Sequence, residues 1–361
     1  LPADREVWSG SCPCFPAGTL VMTEAGQIPI EQIELGMRVL THAGRFCPVV
    51  KTGYQTGRLV EVRGQGHWGL LTTANHPFYA RAKSRDHRRH SPTYGRLVPT
   101  PPEWVPASEM KGMNWATVAS VPVVPMPALA PKSWQGVPPN VPSDMSGSAF
   151  AKFLGFWLGN GWVHDGKQVV LCDGHDDGDL VLALAVDSGL HGCLLRERTG
   201  VRMRIGSKLL AEWLTEQFCS GAANKRIPTW LHGMPCEFRE AFLDGFCIAD
   251  GHHEQSPRSS PVRRFTTVSR AIAIGIRILI NQAGRSASIR LRQPNRVCVI
   301  EGREVHERPS YAITEYPTAR SYQAGELHGW GVVRGVTDTG IDDTVYNLEV
   351  ADDHSYVADG I

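Results

Sequence analysis

Along the first hundred residues, apolar positions come in short runs separated by turn residues. Thr19-Leu-Val-Met-Thr23 is followed by Glu24-Ala-Gly26, and Met37-Arg-Val-Leu40 leads into His42-Ala-Gly44. That rhythm predicts short strands joined by tight turns. Between 99 and 142 prolines recur so often that long helices are excluded, and the stretch reads as a boundary. From about 146 the apolar spacing becomes helical, predicting helices over 150–161, 180–189, 207–218, 237–249 and 269–283. Strand-like pieces lie between them, at 201–205 and 287–291, and β character returns after about 331, in 345–350 and 355–357. The order β, α/β, β fits one domain inserted within another. It divides the chain into 14–130 and 329–361 around an insert at 146–328.

The α/β part repeats itself. Phe153-Leu-Gly-Phe-Trp-Leu-Gly-Asn-Gly161 aligns with Leu243-Asp-Gly-Phe-Cys-Ile-Ala-Asp-Gly251. Gly155 and Gly159 match Gly245 and Ala249, four residues apart in each copy and so on one helix face. Small residues at that spacing let two helix backbones approach closely. Asn160 and Asp250, at the helix ends, are then expected side by side.

Composition sets limits without naming a function. Hydrophobic residues make up 42% and charged residues 20% of 361 positions, ordinary for soluble globular protein and enough for two domains. No apolar run approaches the ~20 residues of a membrane span. Residues 1–13 carry neither the basic nor the apolar region of a signal peptide. Nine scattered cysteines do not form a disulfide framework. They read as structural thiols, buried in the case of Cys172, Cys193, Cys219 and Cys298, in an intracellular, reducing cytoplasm.

Net charge of +1 hides local asymmetry. Between 80 and 96, Arg81, Lys83, Arg85, Arg88, Arg89 and Arg96 face a single acid, Asp86. Between 251 and 335 there are thirteen arginines, six glutamates and no lysine or aspartate. Such patches suit a phosphate backbone; a solvated surface is the other reading of each.

Cys14-Phe-Pro-Ala-Gly-Thr19 resembles the first splicing block of inteins and related Hint domains, in which a cysteine precedes a threonine by five positions. Thr73-Ala-Asn-His76 resembles their Thr-x-x-His block, and Val345-Tyr-Asn-Leu-Glu-Val…His354-Ser-Tyr their penultimate block. The resemblance implies an all-β, horseshoe-like Hint splicing domain that acts on flanking host segments (exteins), residues 1–13 being a remnant of one. It implies that Cys14 attacks the Pro13 carbonyl by an N-to-S acyl shift and that His76 protonates the departing amine. Thr73 would steady the oxyanion, and His354 would assist the later cleavage at the other junction. No cofactor is implied for splicing. The sequence stops at Gly360-Ile361, short of the block's closing His-Asn. A disulfide across Cys12-Pro-Cys14 would be strained, so Cys12 reads as an unpaired bystander.

The repeated helices resemble the paired LAGLIDADG motifs of homing endonucleases, and Asn224-Lys-Arg-Ile-Pro-Thr-Trp-Leu231 resembles the block before the second motif. The implied insert is an α/β domain with pseudo-two-fold symmetry that binds double-stranded DNA as a monomer and uses Mg²⁺ held by an acid from each helix end. Asp250 matches one acid and Lys225 a catalytic lysine. Asn160 stands where the other acid belongs, as a weak or lost metal ligand, so the insert is expected to bind DNA but to cut both strands poorly. Asp165 and Asp244 are the nearby acids that could replace it. Two other functions fit parts of the pattern: a Hint domain that cleaves without ligating, and a DNA-binding module with a catalytically dead endonuclease fold.

Overall fold

A computed structural model describes residues 6–7, 12–129, 140–256, 259–293, 297–300, 303–306, 308–316, 325 and 327–361. Most of the expected host remnant, and Arg258, Arg296 and Arg320 of the second basic run, lie outside the described residues. The chain divides into two compact units. One comprises Leu1–Pro122, Ile280–Ser288 and Thr318–Ile361; the other comprises Val123–Leu279 and Ile289–Pro317. Segments from both ends of the sequence thus share the first unit.

The first unit is all-β. Its spine is a pair of long antiparallel strands, Phe46–Gly64 and His328–Val350, matched from Val333↔Gly64 to Val350↔Val49. Register shifts near Gly335, Asp338 and Val350 bend this ladder, as extra residues on one strand do. The sheet runs Glu103–Pro106, Pro77–Arg81, Asn114–Val118, His328–Val350, Phe46–Gly64, Arg38–Leu40, Leu20–Thr23, Gly26–Pro29. Two short strands decide the chemistry: Phe15–Pro16 pairs with Val345–Tyr346, and Leu70–Thr73 pairs with Leu59–Val62. Val21, Ile30, Val62, Leu70, Trp115 and Val350 pack the core. Gly64 is needed there, because a side chain on it would collide with the Trp115 ring.

Five predicted helices are present within about two residues. They are α1 (Ser148–Asn160), α2 (Gly178–Asp187), α3 (Lys208–Phe218), α5 (Cys236–Asp250) and α6 (Arg270–Gln282); the one-turn α4 (Thr229–His232) has no counterpart in the sequence reading. Directly after α1, the strands Gly161–His164, Gln168–Asp173, Gly200–Gly206 and Cys193–Glu197 form one sheet in that order. After α5, Gly251–Ser256, Ser259–Thr267, Ser310–Tyr316 and Ser286–Arg292 form another in the same relative order. Each half therefore repeats helix, hairpin, helix and two further strands. The class is the expected one: a multidomain chain with an all-β unit and an inserted α/β unit whose two halves repeat.

Two expectations need correction. The proline-rich stretch is not all boundary, since Glu103–Pro106 and Asn114–Val118 are strands of the large sheet. Prolines cost little there because they sit at strand ends. Of the four thiols expected to be buried, Cys172 and Cys219 are half-buried and Cys193 is exposed, and the Cys298 side chain lies outside the described residues. No helix among the described residues is long and apolar enough to cross a membrane.

Candidate functional site

The pairing of Phe15–Pro16 with the strand from the far end of the chain fixes Cys14 in the first unit, wholly buried beside Leu59 and Val345. Thr19 closes the turn behind it, its hydroxyl donating to the Pro16 carbonyl at 2.9 Å. That bond gives the Cys-to-Thr spacing a structural reason. Strand Leu70–Thr73 grips Cys14 from the other side. The Cys14 N–H donates to Thr73 Oγ1 at 3.0 Å, while Thr73 N–H and the Thr72 hydroxyl donate to the Cys14 carbonyl at 3.0 and 2.9 Å.

His76 lies one turn beyond Thr73 and is fixed by its own backbone bond to the Thr73 carbonyl and by the Phe15 ring, 4.1 Å away centre to centre. Its imidazole hydrogen-bonds the Pro13 backbone. Proline has no N–H, so the partner is the Pro13 carbonyl oxygen. Nδ1 has no partner, which leaves Nε2 as the donor. Burial pushes the His76 pKa down to about 3, so the ring is neutral near pH 7. The peptide bond between Pro13 and Cys14 is thus held at both ends, the carbonyl by His76 and the amide by Thr73. The resemblance implied the reverse contacts, His76 on the amine and Thr73 on the oxygen.

The Cys14 thiol is pushed far above the usual thiol range, first by burial and then by the adjacent Cys12 thiol, which hydrogen-bonds it. Cys12 and Cys14 are both free. Gln55 works against this shift, with Nε2 3.5 Å from Cys14 Sγ and 3.0 Å from the Cys12 carbonyl oxygen. Asn347 Nδ2 lies 3.5 Å from Cys12 Sγ, and its Oδ1 accepts from Tyr356 Oη at 2.8 Å. Asn347 and Tyr356 lie inside the penultimate block and were legible in principle. Gln55 sits in a long strand with no motif around it.

His354 does not join this cluster. It is exposed, in the turn after the long strand, with a left-handed φ of 48°. Its neighbour Ser355 turns inward to His42 Nδ1, 2.7 Å away. A cavity of about 510 Å³ is lined by His76, Phe15, His42, His328, Tyr356 and Ile361, so His76 and the final segment share one cleft, with His42 and His328 as histidines the motifs did not indicate.

In the second unit α1 and α5 pack so closely that a side chain on Gly155 would collide with the Phe242 carbonyl, and one on Gly245 with that of Lys152. Asn160 and Asp250 end side by side: Asn160 Nδ2 donates to the Ala249 carbonyl at 3.2 Å. Lys225 is buried, and Nζ spends all three hydrogens on the carbonyls of Trp157, Leu158 and Gly161 at 3.1, 3.0 and 2.7 Å. Burial lowers its pKa to about 8. Lys225 therefore caps the end of α1 (its hydrogens are committed to the fold). Burial raises the Asp250 pKa, against the pull of Lys225 and with a further push from Asp173.

The two acids considered as substitutes for Asn160 are elsewhere: Asp165 pairs with His164 in an exposed turn, and Asp244 pairs with Arg263. Among the described acids, Asp173, which shares a cavity with Asn160, is the one electrostatically coupled to Asp250. A divalent ion between the helix ends would meet one carboxylate and one amide. Among the described residues no three His, Cys, Asp or Glu side chains are grouped to hold a metal. The residues present do not fit a full metal site.

Residues 13–90 match the family model of the Hint domain. Over 401 residues the chain is 23% identical to an ATP-dependent DNA helicase of Thermococcus kodakarensis, covering 95% of this chain and 35% of the helicase. Over 374 residues it is 24% identical to an iron-sulfur cluster assembly SufBD family protein of Mycobacterium bovis, covering 96% of this chain and 42% of that protein. The chain thus spans well under half the length of these relatives. Among solved structures, I-DmoI in complex with DNA and Ca is 14% identical with a TM-score of 0.32, covering 48% of this chain and 85% of that one.

Proposed function

We propose that this chain is an intein-type element whose Hint unit opens the Pro13–Cys14 peptide bond by passing the Pro13 acyl group from nitrogen to sulfur. The observation that carries the reading is the clamp on that one bond, His76 on its carbonyl oxygen and Thr73 on its N–H. A planar amide resists attack; a donor on its carbonyl oxygen makes the carbonyl carbon more electrophilic, and the Thr73 contact holds the amide in place. Cys14 Sγ bonds to the Pro13 carbonyl carbon, the C–N bond breaks, and the thiol proton ends on the freed amine. His76 stabilises the oxyanion as a neutral donor, and Gln55 steadies the sulfur. The proposal keeps both residues of the resemblance and exchanges the atoms they serve. Support also comes from the relatives. Nearly the whole chain resembles a stretch of a helicase and a stretch of an iron-sulfur assembly protein, whose names share no activity. A transferable element with flanking exteins accounts for that. The domain limits we propose are those of the compact units, in an intracellular, reducing cytoplasm, with the protein monomeric.

Replacing His76 by alanine should slow thiol-induced cleavage after Pro13 by about 10²–10³-fold, the loss expected for one oxyanion donor. The His354→Ala variant should change it by no more than a few-fold, since His354 is exposed and outside the cluster. Because His76 is held near pKa 3, the rate between pH 6 and 9 should rise with thiolate and show no imidazole inflection. Mass spectrometry of the cleaved fragments gives both readings. Equal losses in the two variants would refute the division of labour.

For the inserted unit we propose duplex DNA as partner, with cleavage weak or absent because Asn160 removes one carboxylate. With DNA spanning the uninterrupted insertion site and Mg²⁺ or Mn²⁺ present, the unmodified protein should bind without efficient double-strand cutting. The Asn160→Asp variant should gain cutting. Efficient double-strand cleavage by the unmodified protein would overturn the reading of weak cutting and direct attention to Asp173.

A further inference from the structure

The first unit carries a projection that the splicing chemistry does not use. Between strands Pro77–Arg81 and Glu103–Pro106, Lys83–Arg85 pairs with Leu97–Pro99 as a separate two-stranded ladder. Residues 86–96 form its tip. From Arg81 to Pro102 the sole acid is Asp86, and it is buried at 4% exposure. Its carboxylate accepts from Arg88 N–H and Nε at 3.0 Å each, Arg88 Nη2 at 3.1 Å, Ser91 Oγ at 2.6 Å and Thr93 Oγ1 at 2.5 Å. The backbone closes the tip, with Asp86 N–H on the Arg96 carbonyl at 2.8 Å and Gly95 N–H on the Asp86 carbonyl at 2.7 Å. Arg85 adds a bond to the Gly95 carbonyl at 3.1 Å.

A run of like charges normally repels itself into a loose, solvated chain. Here the one acid is drawn inside and used as a hub, so the tip is ordered while the carboxylate is withdrawn from its outer face and the Lys and Arg charges remain there. Lys83, Arg85, Arg89 and Arg96 are exposed and have no acid partner among the described residues. Only Arg88 is neutralised, by the hub itself. Guanidinium groups on a fixed frame suit phosphate oxygens, and each phosphate they neutralise releases a counterion.

We propose that the 83–99 projection is a preorganised arm of the Hint unit that grips the phosphate backbone of duplex DNA, with Asp86 as the residue that shapes it. The proposal rests on the reading of this chain as a DNA-binding element, and it adds a second DNA contact, outside the α/β unit.

Charge counting and shape make opposite predictions for Asp86. The Asp86→Ala variant makes the protein more positive, so charge alone predicts tighter binding. A built arm predicts weaker binding and a shallower salt dependence, because Arg88, Ser91 and Thr93 lose their anchor. The test uses a 40-bp duplex of arbitrary sequence, titrated at several salt concentrations, with thermal melts to establish that each variant is folded. The Arg85→Gln, Arg89→Gln double variant should flatten the slope of log K against log salt by about 1.8, at ~0.9 per lost phosphate contact. Tighter binding by Asp86→Ala, or an unchanged slope in the arginine variant, would overturn the arm while leaving DNA binding in place. No binding of the duplex by the unmodified protein would overturn the DNA reading itself, and the arm with it.

Discussion

Alanine at Cys14 is expected to abolish thiol-induced cleavage after Pro13, while alanine at Cys12 leaves that cleavage intact under reducing conditions. No second sulfur can stand in for the first. Cys12 precedes the scissile bond, and its own carbonyl is engaged by Gln55 rather than by the His76–Thr73 clamp. Its thiol acts on Cys14 only by contact, and the contact is unfavourable, further lowering an acidity that burial has already made weak. Removing Cys12 should therefore leave the rate the same or somewhat higher, with the pH dependence shifted toward lower pH. Cleavage is followed by mass spectrometry after incubation with a small thiol, which captures the thioester and releases the segment ending at Pro13. Cleavage that survives in Cys14→Ala would mean that the nucleophile is another group. Loss of cleavage in Cys12→Ala would make Cys12 part of the reaction.

The residues that act through main-chain position were the ones most legible in the sequence. Cys14, Thr73 and His76 sit in blocks whose spacing follows from backbone pairing: a threonine that closes a turn, and a histidine one turn past a strand end. The α1–α5 repeat was legible because only glycine fits where one backbone touches another, a demand that leaves few substitutions open. What could not be read depends on which way a side chain turns. His354 and Ser355 are neighbours in one block, yet the serine faces in and the histidine faces out, through a left-handed φ at His354. Lys225 matches a catalytic lysine in sequence, but only the fold shows its three hydrogens committed to the end of α1. Gln55 reaches Cys14 because it pairs with Val345 in the long ladder just where Phe15–Pro16 joins it, and no local pattern encodes that.

The paired helices also provide the strongest test of the chain as two separately folding units. In the Gly155→Val variant the new side chain meets the Phe242 carbonyl, which is backbone and cannot rotate away. Valine is the better helix former, by several tenths of a kcal/mol at most. Against that, α1 and α5 must separate where Gly155 faces Phe242 and Phe246, in helices whose phenylalanines are fully buried. We expect a loss of about 3 kcal/mol, the upper end of overpacking costs, because backbone relaxes less than side chains do. The Gly206→Ala variant is the control. Nothing lies within 4 Å of its added carbon, so its effect should stay within about 0.5 kcal/mol. The melting transition of the α/β unit and its DNA affinity should both fall in Gly155→Val. Thiol-induced cleavage after Pro13 should persist, since Cys14, Thr73, His76 and Gln55 all belong to the other unit and its own core. An unchanged melt would mean that α1 and α5 are not in backbone contact. Joint loss of DNA binding and cleavage would mean that the Hint unit cannot hold its fold without the insert, and the insertion would then be structural as well as historical.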